Sequence, residues 1–232
     1  MQIEKKITVI MPIGGIGQRF KIVDKKIEKP LIKIKKIPLF LIALYSLRNV
    51  KNIKEIIIIS RKKILFEIKK ECKKRTFFKN KVFKFVCLSK KTKSPLHTVL
   101  KSKDKLNFTH RIICIDNDLY FKSREYLKKI NTKNIDSVVP YFRSRKPIYS
   151  YINTSKDRII NIKEKKVISS KAVAGAYFFK DPKEFLNNCE IAIKNKKKFI
   201  SDVIMIYLRN DKKVYCGKID YYKSFGTPEE LK

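Results

Sequence analysis

Four consecutive isoleucines, Ile56 to Ile59, constrain this chain more than any other segment. An extended run that is apolar on both of its faces must be covered on both sides, which is the situation of an inner strand in a parallel sheet with helices above and below. The strand expected at 55–60 around them belongs to a longer alternation. Residues 7–11 form another apolar strand, followed by a glycine-rich loop and by a helix over 38–48 with Pro38 near its first turn. Residues 62–75 read as a helix with a charged outer face, 82–88 as a third strand, 95–103 as a helix and 111–115 as a fourth strand. Segments 136–142, 149–154, 159–163 and 172–179 are β-rich, with a turn at 155–157, and helices at 181–194 and 199–209 lead to a last strand near 213–219.

Strands alternating with helices predict an α/β fold with a mixed, mostly parallel central sheet flanked by helices. There is no repeat, linker or low-complexity tail, so residues 1–232 are expected to form a single domain whose second half adds sheet to a pocket begun by the first. Five cysteines, Cys72, Cys87, Cys114, Cys189 and Cys216, stand singly and mostly within apolar runs, as reduced core thiols do. No apolar stretch approaches membrane-spanning length and the first residues lack the hydrophobic core of a signal peptide, so a cytoplasmic location without membrane insertion is expected.

The formal charge is +36, from 57 Lys and Arg against 21 Asp and Glu. A basic face that releases counterions from a phosphate backbone is one explanation. The lysines are spread over nearly every segment and accompany abundant Ile and Asn, the amino-acid usage of an AT-rich genome, and the aromatic residues are interleaved as core residues are. No nucleic-acid partner is therefore expected, although a uniform positive field still draws anionic small molecules towards the protein.

The first strand runs into Gly14-Gly15-Ile16-Gly17-Gln18-Arg19. Glycines directly after a buried strand leave backbone N–H groups able to face anionic oxygens and let phosphates approach closely. In open α/β sheets, ligands bind beyond the carboxyl ends of the strands, where this loop emerges. No Gly-Lys-Ser/Thr closes it as a P-loop requires, and Arg19 stands where a dinucleotide fingerprint needs a third glycine. Asp116-Asn117-Asp118 follows the apolar strand 112–115, and carboxylates there can hold a magnesium ion that bridges phosphates, or form a plain surface turn. Of the two histidines, His110 opens a strand as a structural or exposed residue, and His97 lies on a helix surface or the pocket wall.

The stretch Ile10-Met-Pro-Ile-Gly-Gly-Ile-Gly-Gln-Arg-Phe, with Lys29-Pro-Leu-Ile and Ile37-Pro38 after it, strongly resembles the nucleotidyl transferase family that makes activated sugars for capsules and lipopolysaccharides, including glucose-1-phosphate thymidylyltransferase-like enzymes. The resemblance implies the Rossmann-like nucleotide-diphospho-sugar transferase fold. It implies a Mg2+-dependent transfer of a nucleoside monophosphate from a nucleoside triphosphate to a sugar 1-phosphate or similar phosphate acceptor, with release of pyrophosphate. On this basis Gly14, Gly15 and Gly17 line the nucleotide, with Thr98 beside it, while Arg19 and Lys29 neutralise the triphosphate and the departing pyrophosphate. Asp118 aligns best with the family's magnesium-binding aspartate and Asp116 follows closely, so both are kept as metal ligands. The segments Ile162-Lys-Glu-Lys and Ser170 to Phe179 are similar to the family's acceptor-binding segment, which gives Glu164, Lys165 and Gly175 the sugar phosphate; the closing Phe225-Gly-Thr-Pro-Glu-Glu-Leu is similar to its Gly-Thr-Pro-Glu stretch.

Two positions depart from the family. Ser224 stands where many relatives carry a second metal-binding aspartate, and Ser94-Pro-Leu-His-Thr98 stands where they have small residues and a Glu or Gln near the base. Three other readings remain: a glycosyltransferase of the same fold using Asp116-Asn117-Asp118 as an Asp-x-Asp motif, a basic nucleic-acid-binding protein, and a relative that binds nucleotide without turning it over. Nucleobase, acceptor and any homo-oligomeric state are left open by the sequence.

Overall fold

The computed structural model describes residues 5–23, 26, 28–74, 78 and 80–231. Strand β1 (Ile7–Ile13) leads through a loop into α1 (Gln18–Val23), then a 3-10 turn at Lys29–Leu31 and a small hairpin of β2 (Lys33–Ile34) and β3 (Ile37–Pro38). Next come α2 (Leu39–Tyr45), β4 (Ile53–Arg61), α3 (Lys62–Lys73), β5 (Val82–Leu88), α4 (Pro95–Leu100) and β6 (Arg111–Ile115). They are followed by β7 (Leu119–Lys122), α5 (Arg124–Ile130), β8 (Ser137–Arg143), β9 (Tyr151–Ser155), β10 (Arg158–Lys163), β11 (Lys171–Val173) and β12 (Ala176–Phe179). The chain closes with α6 (Pro182–Lys194), α7 (Ile200–Arg209), β13 (Val214–Lys218), β14 (Tyr221–Ser224) and a 3-10 turn at Pro228–Leu231.

Ten strands form one sheet in the order β11-β9-β10-β13-β8-β12-β6-β1-β4-β5. The sheet is mixed: seven strands run one way, and β10, β11 and β12 run against them. The isoleucine run explains the architecture. Ile56 and Ile58 point into the core shared with α2, α3 and α5, whereas Ile57 and Ile59 point into the core shared with α4, α6 and α7. All four are at most 2 % exposed. At about 25 cal/mol per Å² of apolar surface, each contributes roughly 2 kcal/mol by leaving water, which one covered face alone could not supply.

Several elements differ from the sequence expectations. The helix expected over 38–48 starts one residue later and ends at Tyr45, because Pro38 pairs in β3 and serves as the helix cap. The helix expected over 95–103 ends at Leu100, and the β-rich stretch 172–179 is two strands broken at Gly175, whose φ is +67°. Helix α3 ends at Lys73, and Arg75, included in the expected helix, lies outside the described residues. Helices α1 and α5 and strands β7 and β14 have little signature in the sequence, since they are short and, in α5, heavily charged. Four cysteines are buried and Cys87 is exposed on β5. Among the described residues, no helix is long and apolar enough to cross a membrane.

His110 lies at the amino ends of the parallel strands, remote from the strand ends that carry the glycine loop. It is 4 % exposed, and its Nδ1 sits 2.9 Å from Thr8 Oγ1, which also donates to Glu55 at 3.3 Å. Burial, helped by Lys6 and Lys84 and opposed by Glu55, holds its pKa below the ordinary histidine value. A base whose folded pKa is depressed contributes stability above its unfolded pKa of about 6.5, and that contribution is lost as the pH falls through the folded value. Acidification from pH 8 to pH 5 should therefore lower the unfolding midpoint more in the wild type than in His110→Gln, as followed by thermal melts at both pH values.

Candidate functional site

The carboxyl ends of β1 and β6 open into a cleft closed by the later, partly antiparallel strands and by the carboxyl-terminal turn. Gly14, leaving β1, is packed tightly: a Cβ there would stand 2.6 Å from Thr98 Oγ1 and 2.7 Å from Thr92 Oγ1. Gly15 is open, with nothing within 4 Å of a Cβ. Gly17 adopts φ +65° and presses on the Lys29 side chain, which lets the chain turn into α1 and bring exposed Arg19 to the cleft wall. Thr98 is buried, with its hydroxyl 2.6 Å from that of Thr92 and donating to the Ser94 carbonyl at 3.2 Å. It therefore supports the Gly14 loop from beneath and is not part of the cleft lining. His97 is likewise outside the lining, its ring held 2.8 Å from Ser94 Oγ at the cap of α4.

Both acids after β6 line the cleft. Lys29 Nζ lies 2.5 Å from Asp118 Oδ2 and 3.4 Å from the Gly226 carbonyl, with the Phe20 ring 5.2 Å away. Asp116 is walled in by protein except towards the cleft. Its amide donates to the Gly175 carbonyl at 2.9 Å, and a Cβ on Gly175 would collide with its carboxylate. Burial, reinforced by the nearby charges of Asp118 and Glu164, pushes its pKa up to about 8. Crowded carboxylates of this kind are what a cation relieves. Oxygen-only donors suit magnesium, which usually keeps several waters and takes one or two carboxylates plus phosphate oxygens. Asp116 and Asp118 meet that description, while no group of three acidic, histidine or cysteine side chains gathers as a metal site among the described residues.

On the opposite wall Glu164 Oε2 accepts hydrogen bonds from the hydroxyls of Ser150 and Ser201, the latter at 2.8 Å. Oε1 is not engaged by either serine, so the carboxylate reaches the cleft already oriented. Lys165 lies at the rim: it is exposed, its φ is +51°, and its ammonium sits 5.0 Å from the ring of Phe199, a cleft residue. Gly175 lines the cleft beside Asp116. The structure thus gathers Arg19, Asp116, Asp118, Glu164 and Gly175 around one cavity, with Lys29 bonded to it, Lys165 at its edge and Thr98 behind it.

The sequence reading did not single out Tyr149, Ser150, Phe199, Tyr222 or Glu230, all of which line the cleft. Tyr222 stacks on Phe142 at 3.8 Å, and Phe142 meets Tyr149 edge-on at 5.1 Å, so three rings brace this wall. Burial pushes Tyr149 up to about 12, so its hydroxyl stays protonated and donates to Glu230. Glu230 falls within the closing Gly-Thr-Pro-Glu-Glu stretch, but nothing in that run reveals its partners, which lie up to 81 residues away.

The sequence matches the model of the family described as Nucleotidyl transferase over residues 7–231. No match to a curated protein was found. Similar solved structures include a nucleoside-diphosphate-sugar pyrophosphorylase from Vibrio cholerae RC9, with 16% identity, TM-score 0.81, and coverage of 96% of this chain and 97% of that one. Another is a Bacillus anthracis protein described as a glucose-1-phosphate thymidylyltransferase in complex with a sucrose (21% identity, TM-score 0.82, 97% and 92% covered). A third is a UDP-glucose pyrophosphorylase complexed with UDP-glucose (19% identity, TM-score 0.77, 98% and 96% covered). At these identities the likeness is one of fold.

The glycines of the cleft differ in what they tolerate. Gly175→Ala forces a side chain into a left-handed conformation, at roughly 1–2 kcal/mol, and drives it against Asp116, so the unfolding midpoint should fall by about 2–8 °C. Gly15→Ala has open space and should stay within about 1 °C of the wild type in the same melts.

Proposed function

Because the chain belongs to the nucleotidyl transferase family, we infer that it is a sugar-phosphate nucleotidyltransferase, transferring a nucleoside monophosphate from a nucleoside triphosphate to a sugar 1-phosphate or similar phosphate acceptor. The activated product would serve capsule, lipopolysaccharide or related glycan synthesis in the cytoplasm, with residues 1–232 working as one domain. The observation that supports this reading is the meeting of Arg19, which follows the glycine loop, with the Lys29–Asp118 pair, Asp116 and Glu164 around a single cleft whose lining does not include Gly14, Gly15 or Gly17.

The chemistry asks little proton transfer of the protein, since the acceptor phosphate is already an anionic nucleophile. One of its oxygens attacks the α-phosphorus in line; that new P–O bond forms as the bond from the α-phosphorus to the bridging oxygen breaks, and pyrophosphate leaves with the electron pair. Catalysis then consists of positioning and charge neutralisation. Gly14, Gly15 and Gly17 shape the nucleotide seat, and Thr98 acts through Gly14. Arg19 offers a planar fork to phosphate oxygens and Lys29 a point charge. Glu164, pre-oriented by Ser150 and Ser201, accepts hydrogen bonds from acceptor hydroxyls, while Lys165 and Gly175 take the acceptor phosphate. Asp116 and Asp118 would hold magnesium, which supplies neutralisation of the developing phosphate charge.

A panel of common nucleoside triphosphates against sugar 1-phosphates and phosphocholine, scored by pyrophosphate release with magnesium, identifies the substrates. Arg19→Ala and Asp118→Asn should each reduce release at least about a hundredfold, the scale of losing one charge-stabilising group. Unchanged rates in both variants would sink the reading. Silence across the panel with tight binding of a finished sugar nucleotide would favour a glycosyltransferase instead.

A further inference from the structure

The carboxyl-terminal wall of the cleft is organised by an acid with an unusual number of partners. Ser224, where the family resemblance leads one to expect an aspartate, donates its hydroxyl to Glu230 Oε2 at 2.8 Å. The same oxygen accepts the amides of Gly226 at 2.8 Å and Thr227 at 3.2 Å, and Oε1 accepts the Tyr149 hydroxyl at 3.1 Å. Three of these donors share Oε2 and one meets Oε1. Glu230 is thereby engaged as a tie between the 224–227 turn and Tyr149.

Gly226 shows what the tie holds in place. Its N–H is fixed by Glu230, and its carbonyl faces the Lys29 ammonium at 3.4 Å, which in turn contacts Asp118 at 2.5 Å. A Cβ on Gly226 would stand 3.2 Å from Glu230 Oε2 and 3.7 Å from Asp118 Oδ2, so this peptide is wedged between the two acids. The polar chain runs Tyr149, Glu230, Gly226, Lys29, Asp118.

Resting on the nucleotidyl-transfer reading, we propose that Glu230 is a positioning residue for that reaction, its carboxylate serving this wall in place of an acid at position 224. It locks the Ser224–Thr227 turn and, through the Gly226 peptide, keeps Lys29 against Asp118. A carboxylate placed at 224 would approach Glu230, and the two like charges would repel.

The test is a cycle of Ser224→Asp, Glu230→Gln and the double variant, measured by kcat and KM for pyrophosphate release and by thermal unfolding. Glu230→Gln should lower kcat about tenfold while the KM for the nucleotide changes less than about threefold, the signature of a displaced transition-state contact. Ser224→Asp should lower both kcat, by about tenfold or more, and the unfolding midpoint. The double variant should recover most of the midpoint and kcat lost in Ser224→Asp, because the glutamine side chain donates an N–H to the new acid where Glu230 could only repel it. With an active wild type, the positioning role alone is overturned by independent effects of the two substitutions. It is equally overturned if Glu230→Gln lowers only the melting midpoint, or leaves both quantities unchanged. An inactive wild type overturns the reading of the site and the positioning role with it.

Discussion

The contact on which the site depends is the ion pair of Lys29 with Asp118, capped by the carbonyl of Gly226. It joins the segment after the glycine loop, the end of β6 and the carboxyl-terminal turn, three pieces of chain that nothing local would bring together. Its side chains are only 14% and 29% exposed, so solvent screens the pair less than it does a surface salt bridge. Two glycines flank the pair: a Cβ on Gly17 would press on the Lys29 stem at 3.0 Å, and one on Gly226 would stand 3.7 Å from the Asp118 carboxylate.

The pair sits in an electrostatic setting opposite to that of the whole molecule. A chain of formal charge +36 concentrates Asp116, Asp118, Glu164 and Glu230 around one cleft, with Arg19 the cation in its lining and Lys29 attached to it. A positive outer field of this kind favours the approach of anions, whereas the inner acids present negative charge to the cleft. The raised pKa of Asp116 expresses the resulting tension. Each of the other carboxylates has its own partners: Asp118 is held by Lys29, Glu164 by two serines, and Glu230 by two amides and two hydroxyls.

The isoleucine run and the Gly14–Arg19 loop were legible because their demands are local. An all-apolar strand requires cover on both faces wherever it is placed, and glycines after a strand free the backbone whatever lies opposite. The acids after β6 were legible for a related reason, since strand ends in an open α/β sheet face the ligand side. Thr98 shows the limit. The family resemblance gave it to the nucleotide, whereas in the structure its hydroxyl is spent on Thr92 and Ser94 and its bulk supports Gly14. Gly175 broke one expected strand into two because the approach of Asp116 leaves no room for a Cβ, a demand set by a residue far earlier in the chain.

Read alone, the sequence carries the layered α/β architecture, the strand end that opens into the cleft and the residue types available there, because periodicity and glycine placement act over a few residues. Only the tertiary structure decided which of those residues converge, which merely support, and that Ser224 works with Glu230. Those outcomes rest on pairings across the cleft between segments distant in the chain, 81 residues apart for Tyr149 and Glu230 and 89 for Lys29 and Asp118, where hydrogen-bond geometry and not sequence spacing sets the distance.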